Sequence, residues 1–185
     1  MQAIILVGFM GAGKSSVGRI LAERLGWTFE DLDDRIEQRE KQKVAEIFGN
    51  AGEAGFRRVE QEVLQELLKA LRSGAEKVIA LGGGAFANES TIGLIESVNL
   101  PTVFLDAGVE ELWGRCQRQS AEQGTNRPLL GARDGFRELY EKRRPQYLRA
   151  WLRQETGGKD IEEIAAEVIR ALGLGGQRGC REKTK

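Results

Sequence analysis

The chain lacks histidine and has only two cysteines among its 185 residues. Cys116 and Cys180 stand at no metal-ligand spacing, and the usual nitrogen ligand of zinc is missing, so we expect neither a zinc site nor a disulfide framework. The absence of histidine leaves acid–base chemistry near neutral pH to carboxylates, lysine or tyrosine. This cysteine usage fits a reducing, cytoplasmic environment best.

The chain also has no excess of charge of either sign and no long apolar run. Its 28 basic side chains balance 28 acidic ones, which removes the bulk electrostatic attraction that favours binding to nucleic acid. The early apolar run, Ile4 to Val7, is too short to cross a bilayer and has no signal-peptide pattern around it. We therefore expect neither a nucleic-acid nor a membrane partner. Nineteen of the basic residues are arginine, which suits the bidentate binding of anions.

Short apolar segments alternate with longer segments of helical periodicity, which is typical of an α/β fold with a parallel sheet covered by helices. The predicted strands are 3–7, 28–32, 78–81, 103–105 and a polar fifth at 151–155. The predicted helices lie near 17–25, 59–71, 89–97, 110–119, 133–149 and 160–172. We predict a single domain over residues 1–173 and a disordered tail over 174–185.

A glycine-rich loop lies between the first predicted strand and the first predicted helix. Residues 8–15 read Gly-Phe-Met-Gly-Ala-Gly-Lys-Ser and fit the pattern GxxxxGK[ST]. Glycines allow backbone N–H groups to curl around phosphate oxygens, Lys14 would reach the β- and γ-phosphates, and Ser15 would ligate Mg²⁺. The motif predicts binding of a nucleoside triphosphate, but it does not separate a GTPase from a motor or a small-molecule kinase.

Carboxylates follow the second predicted strand. Strand alternation places Asp31 and Asp33 on one side, opposite Leu32, at the sheet edge where open parallel sheets bind ligands. There Asp31 could hold the hydration shell of Mg²⁺ and Asp33 could accept a hydrogen bond from an acceptor hydroxyl. Capping of a helix is the structural alternative, and for Asp34 we predict it, with the helix beginning at Arg35.

A second glycine loop, residues 82–84, follows the third strand at the same edge, where its N–H groups could contact a small polar ligand or simply form a flexible turn. Arg57 and Arg58 begin a long helix, where positive charge suggests a nearby anion.

The polar segment 115–131 is consistent with a mobile lid that delivers Arg127 to a transferring phosphoryl group, or with a solvated surface loop.

Together these segments resemble the shikimate kinase family, small P-loop kinases of aromatic amino acid biosynthesis. The matches, in order over about residues 2–172, are Gly8 to Ser16, Phe29-x-Asp31-x-Asp33 with Ile36-Glu37, Ile47-Phe48 with Gly52-Glu53 and Phe56-Arg57-Arg58-Val59-Glu60, Gly82-Gly83-Gly84-Ala85, Arg127-Pro128-Leu129-Leu130, and Arg143-x-Pro145-x-Tyr147. The resemblance implies a three-layer P-loop kinase fold with a five-stranded parallel sheet, a lid and a substrate-binding region at about 33–60. It also implies a cytoplasmic monomer that uses ATP and Mg²⁺ to phosphorylate the 3-hydroxyl of shikimate, in the route to chorismate.

The resemblance further implies a role for each candidate site residue. The catalytic set would be Lys14, Asp33 and Arg127. The ATP-binding set would be Gly11, Ala12, Gly13, Lys14, Ser15, Ser16, Arg118 for the adenine, and Arg127. The shikimate-binding set would be Asp33, Arg57, Gly82, Gly83, Gly84 and Arg143, with Phe48 and Phe56 either lining that pocket or serving as ordinary core. Arg57 and Arg143 would clamp the carboxylate, and Ser15 with Asp31 would place Mg²⁺, directly or through water.

Three features depart from the family pattern: Ser16 stands where many members have threonine, the lid segment 119–126 is extended, and the tail beyond Leu172 has no assigned counterpart. Two other functions share the phosphate loop. A gluconate kinase-like enzyme has no evident need for two carboxylate-binding arginines such as Arg57 and Arg143. A nucleotide-binding regulatory module would bind ATP without turnover.

Overall fold

A five-stranded sheet forms the centre of the part of the chain that the structure describes. The structure, a computed structural model, describes residues 2–71, 74–123 and 133–175. The strands are β1 (Ala3–Val7), β2 (Thr28–Asp31), β3 (Lys77–Ala80), β4 (Thr102–Asp106) and β5 (Leu152–Glu155). They pair in parallel in the order β2-β3-β1-β4-β5, so the predicted five-stranded parallel sheet is confirmed, including its polar fifth strand.

The position of each strand follows from its composition. Strand β1 reads AIILV and β4 reads TVFLD, and every residue of both is buried, as parallel strands covered on both faces require. The polar strands β2 (TFED) and β5 (LRQE) take the two edges of the sheet, where part of each strand remains exposed.

In the described ranges, seven α-helices connect and cover these strands. They are α1 (Lys14–Leu25), α2 (Leu32–Glu40), α3 (Val44–Leu71), α4 (Glu89–Ser97), α5 (Val109–Gln123), α6 (Arg133–Tyr147) and α7 (Ile161–Ala171). Across the strand order, the connection from β1 to β2 runs in one direction and the later connections run in the other. Because parallel crossovers are right-handed, the helix of the first connection and the helices of the later ones lie on opposite faces of the sheet. Helix α1 packs against α7. Within the described ranges, no helix has the length and apolarity needed to cross a membrane.

The start of α2 corrects a prediction. The expected cap at Asp34 is wrong, because β2 ends at Asp31 and the Asp31 carboxylate itself accepts a hydrogen bond from the backbone N–H of Asp33 at 3.1 Å. Helix α2 therefore begins at Leu32, and Asp34 lies in its first turn. Asp33 belongs to this helix rather than to the strand, so strand alternation does not describe its direction.

The long helix begins earlier than its apolar periodicity indicates. Helix α3 starts at Val44 rather than near residue 59, and its backbone is interrupted at Gly52, where φ is +66° and ψ is −177°. Of the predicted lid, residues 115–123 form the end of α5, while 124–131, including Arg127, lie outside the described residues, as does the tail from 176.

The carboxyl ends of three neighbouring strands meet at one level. Leu6 of β1 and Asp31 of β2 both stand opposite Ala80 of β3 in the register. The loops that follow β1 and β3, and the start of α2, therefore leave the sheet side by side. Since the connections leave β1 and β3 in opposite directions, a crevice opens between their loops, which is where such sheets bind ligands.

Candidate active site

The loop after β1 contains glycines in backbone conformations that other residues rarely adopt. Gly11 and Gly13 have φ values of +79° and +86°, in the left-handed region that favours glycine. A Cβ atom on Gly11 would also lie 2.8 Å from both the Leu112 carbonyl oxygen and the Cys116 Sγ of α5. The loop is thus held against α5 on one side while it opens toward the N-terminus of α1 on the other, where anions are favoured.

Lys14 closes the loop from the first turn of α1. Its Nζ donates hydrogen bonds to the carbonyl oxygens of Gly8 at 2.9 Å and Phe9 at 3.1 Å. The ammonium group therefore lies above the glycine backbone, in the place where it can meet the terminal phosphates of a nucleotide.

Two hard oxygen ligands lie together beside this loop. The Ser15 hydroxyl donates to Asp31 Oδ2 at 2.6 Å. A hydroxyl and a carboxylate suit Mg²⁺, which usually takes one or two protein oxygens and completes its shell with waters and phosphates. Among residues 2–71, 74–123 and 133–175, no group of three or more Asp, Glu, Cys or His side chains could hold a metal. The pair therefore fits a cation shared with a nucleotide.

Asp33 lies directly beneath the second glycine loop. A Cβ atom on Gly82 would come within 2.6 Å of Asp33 Oδ1. The pKa of Asp33 is raised from 3.8 to about 6, mainly by burial and then by the Asp31 carboxylate, while Lys14 opposes the increase. A carboxyl group that ionises near neutral pH is suited to accept a proton from a bound hydroxyl.

A buried carboxylate holds Arg57 in place. Arg57 Nη1 donates to Glu60 Oε2 at 2.7 Å, and Glu60 is only 1% exposed. The other terminal nitrogen of Arg57 lies under Gly84, where a Cβ atom would come within 2.5 Å of it. Burial raises the pKa of Glu60, and the charges of Arg57 and Arg143 oppose that increase. The neighbouring Arg58 is exposed to solvent.

Helix α6 brings the second arginine to the same loop. Arg143 Nη1 donates to the Gly83 carbonyl oxygen at 3.3 Å, and its guanidinium lies 6.0 Å from the centre of the Phe9 ring. Arg57 and Arg143, 86 positions apart in the sequence, thus contact adjacent residues of one loop. A Cβ atom on Gly83 would lie 3.4 Å from the backbone nitrogen of Met10, so the glycine loop also touches the phosphate loop.

The structure brings together most of the predicted site residues. Those that meet around the two loops are Gly11, Ala12, Gly13, Lys14, Ser15, Asp31, Asp33, Arg57, Gly82, Gly83, Gly84 and Arg143. Ser16 and Arg118 are exposed to solvent, on α1 and α5. Phe56 is buried and stacks on the exposed Phe48 at 4.3 Å, with the Arg57 guanidinium 5.3 Å from the Phe56 ring.

Three residues of this region were not predicted as site residues. Glu60 follows Arg57 by three positions, the spacing at which helical ion pairs form, and this signal could have identified it. Tyr147 follows Arg143 by four positions and lies on the same helix face. Arg115 donates to the Thr156 carbonyl oxygen at 2.9 Å and so joins α5 to the loop after β5.

Substitution of Gly82 by alanine should lower turnover by about tenfold or more, because the new methyl group would displace the Asp33 carboxylate and small misplacements of reacting groups are costly. Gly82 does not have a positive φ, so the backbone itself accepts alanine. The matched control is Gly93→Ala in α4, where no atom lies within 4 Å of the new Cβ. Steady-state kinetics of the two variants checks this; equal turnover in both would show that Asp33 is not displaced.

A phosphate loop with its lysine, a neighbouring hydroxyl–carboxylate pair, and a cluster of one carboxyl and two guanidinium groups beside them are the parts expected of an ATP-dependent kinase of small molecules. The shikimate kinase family model matches residues 10–173. The chain belongs to the shikimate kinase family.

Individual relatives agree with this family. The shikimate kinase of Persephonella marina is 36% identical, over 91% of this chain and 98% of the relative. That of Caulobacter vibrioides NA1000 is 42% identical, over 92% of this chain and 82% of the relative. Among solved structures, the shikimate kinase from Acinetobacter baumannii in complex with shikimate superposes with a TM-score of 0.83 at 34% identity, over 96% of each chain.

Proposed function

We propose that the chain transfers the γ-phosphoryl group of ATP to the 3-hydroxyl of shikimate, giving shikimate 3-phosphate and ADP. The observation that carries this proposal is the convergence of Asp33, Arg57 and Arg143 on the loop 82–84, which itself touches the phosphate loop. An acceptor held there would have its anion at the arginines and its hydroxyl toward the nucleotide. We further propose that the protein acts as a cytoplasmic monomer in aromatic amino acid biosynthesis.

Arg57 and Arg143 would hold the shikimate carboxylate. A carboxylate is planar and accepts two parallel hydrogen bonds from a guanidinium group, which a lysine could not provide with the same geometry. Glu60 keeps Arg57 oriented before the substrate arrives, because its buried carboxylate binds Arg57 Nη1. Arg57 Nη2 lies at the glycine loop and also donates a long hydrogen bond to the exposed Glu53 at 3.4 Å. This preorganisation reduces the entropy that must be lost on binding.

Asp33 would orient the 3-hydroxyl and accept its proton. The hydroxyl oxygen forms the new bond to the γ-phosphorus, the bond between that phosphorus and the bridging oxygen breaks, and ADP leaves. Positioning and charge stabilisation supply most of the acceleration in such transfers. The placement of Asp33 between Lys14 and Gly82 is suited to this task.

On the nucleotide side, Lys14 would exchange its carbonyl partners for the β- and γ-phosphates. Ser15 and Asp31 would hold Mg²⁺, directly or through water, and the bound ion would neutralise charge on the phosphates. We propose that Arg127 adds a second positive charge at the γ-phosphoryl group and that Arg118 contacts the adenine. These two roles depend on the family resemblance of segment 115–131.

The test is an assay of ADP release from Mg·ATP in the presence of shikimate, quinate, gluconate or no acceptor. We expect rapid release with shikimate and little with gluconate, because open-chain gluconate must lose more conformational freedom to hold its carboxylate at the arginines and a hydroxyl at Asp33 together. Faster release with gluconate than with shikimate would favour a gluconate kinase-like enzyme. ATP binding without turnover on any of the three acids would indicate a binding module.

A further inference from the structure

Tyr147, at the end of α6, is tied to the active-site loop. Its side chain is fully buried, and its ring stacks on Phe104 of β4 with centroids 5.3 Å apart. Its hydroxyl donates a hydrogen bond to the Gly83 carbonyl oxygen, the same atom that accepts the longer, 3.3 Å hydrogen bond of Arg143. Two donors from one helix therefore direct a single peptide group of the glycine loop.

The direction of this carbonyl determines what the loop offers to a ligand. Peptide groups are planar and, in the described part of the chain, all are trans, so the Gly84 N–H points opposite to the Gly83 carbonyl, away from α6. Within the described residues this N–H has no hydrogen bond to a protein acceptor. Gly84 lies against the Arg57 guanidinium. The free donor is therefore adjacent to one of the two charged groups proposed to bind the carboxylate.

The two donors on Gly83 differ in what they do when substrate arrives. Under the proposed function, Arg143 turns its guanidinium to the shikimate carboxylate and weakens its contact with the Gly83 carbonyl. The tyrosine hydroxyl also accepts a hydrogen bond from the Arg143 side chain, but its own bond to Gly83 does not depend on that contact, because its ring is fixed by stacking on Phe104. Only Tyr147 then keeps the peptide group in place.

We propose that Tyr147 is a positioning residue for the acceptor: by holding the Gly83 carbonyl, it keeps the Gly84 N–H directed at the carboxylate of bound shikimate. This inference rests on the proposed function. Burial also raises the pKa of Tyr147 to about 12, so the hydroxyl remains a donor throughout the pH range in which Asp33 titrates. Its contribution to acceptor binding is therefore independent of pH below about 10.

The test is Tyr147→Phe, which removes the hydroxyl and keeps the stacked ring. We expect the KM for shikimate to rise about five- to tenfold, as for the loss of one hydrogen bond, with the KM for ATP unchanged and kcat within about twofold. The matched control is Tyr140→Phe on the same helix, whose hydroxyl contacts Asp106 and Ala107 rather than the glycine loop. In that variant the KM for shikimate should not rise relative to the KM for ATP.

A shikimate KM within twofold of wild type, or an equal rise in both KM values, would overturn the inference. If Tyr147→Phe does not fold, the wild-type protein labelled with ¹⁵N-glycine provides the test, since shikimate should shift the Gly84 amide resonance strongly; an unchanged resonance overturns the inference. Failure of the proposed function looks different, because the wild-type chain would then show no turnover with shikimate.

Discussion

Replacement of Asp33 by asparagine is expected to lower kcat by about a hundredfold or more and to leave ATP binding nearly intact. Asparagine keeps the shape of the side chain but cannot accept the proton of the acceptor hydroxyl. Steady-state kinetics with a separate measurement of nucleotide affinity checks the effect. The control is Asp34→Asn, which removes an exposed carboxylate one residue away and should retain wild-type turnover. Near-normal turnover of Asp33→Asn would remove the role of Asp33 as the base.

The pKa of Asp33 adds a pH signature to this prediction. Because the free enzyme must have an ionised Asp33, kcat/KM for shikimate should rise with pH through about 6, and Asp33→Asn should lack that dependence.

The contribution of Asp33 to the stability of the fold should depend on pH in the opposite direction to kcat/KM. A carboxyl whose folded-state pKa is raised from 3.8 to about 6 contributes stability below pH 4 that is lost as pH rises through 6, about 3 kcal/mol in all. At neutral pH the asparagine variant should therefore unfold at a higher temperature than the wild type, which thermal denaturation measures.

The second large effect is expected for Arg57→Ala. Loss of a charged partner of the substrate carboxylate should raise the KM for shikimate by about a hundredfold, with the KM for ATP unchanged. The same change leaves the buried Glu60 carboxylate unpaired, so the free energy of unfolding should fall by about 3–5 kcal/mol. The adjacent, exposed Arg58 is the control, and Arg58→Ala should change neither quantity.

A double variant separates the two consequences of losing Arg57. Combining Arg57→Ala with Glu60→Gln removes the buried charge, so it should recover most of the stability while the KM for shikimate remains high. Recovery of the shikimate KM together with stability would mean that Arg57 acts only through folding. Chemical denaturation and initial-rate kinetics on the same preparations provide both readouts.

Patterns over short stretches of sequence predicted those parts of the fold and site whose geometry is set by residues close together in the sequence. The apolar run of β1, the glycines of residues 8–13 and Lys14 all act within one strand–loop–helix segment, so their spacing in sequence determines their geometry. The edge position of β5 followed from its polarity.

Other features depend on contacts that the local pattern does not contain. Asp31 and Asp34 are both acceptable helix caps by residue type, and only the end of β2 at Asp31 decides between them. The burial of Glu60 follows from its partner Arg57 and from the packing of α3. The meeting of Arg57 with Arg143 follows from the order of the strands, which carries α3 and α6 to the same loop.

The three glycines after β3 also set the distance between two groups of the site. Gly82 lies on Asp33 and Gly84 lies on Arg57, and two residues of chain separate their Cα atoms by about 7 Å at most. Under the proposed function, the reacting hydroxyl and the anionic group of an acceptor must match this short span. In a compact cyclic acid, one ring holds the hydroxyl and the carboxylate at such a distance. A flexible open-chain acid would lose conformational entropy on being held at that one distance. Under the proposed function, we therefore expect the spacing of these two peptide units to favour ring-shaped acceptors.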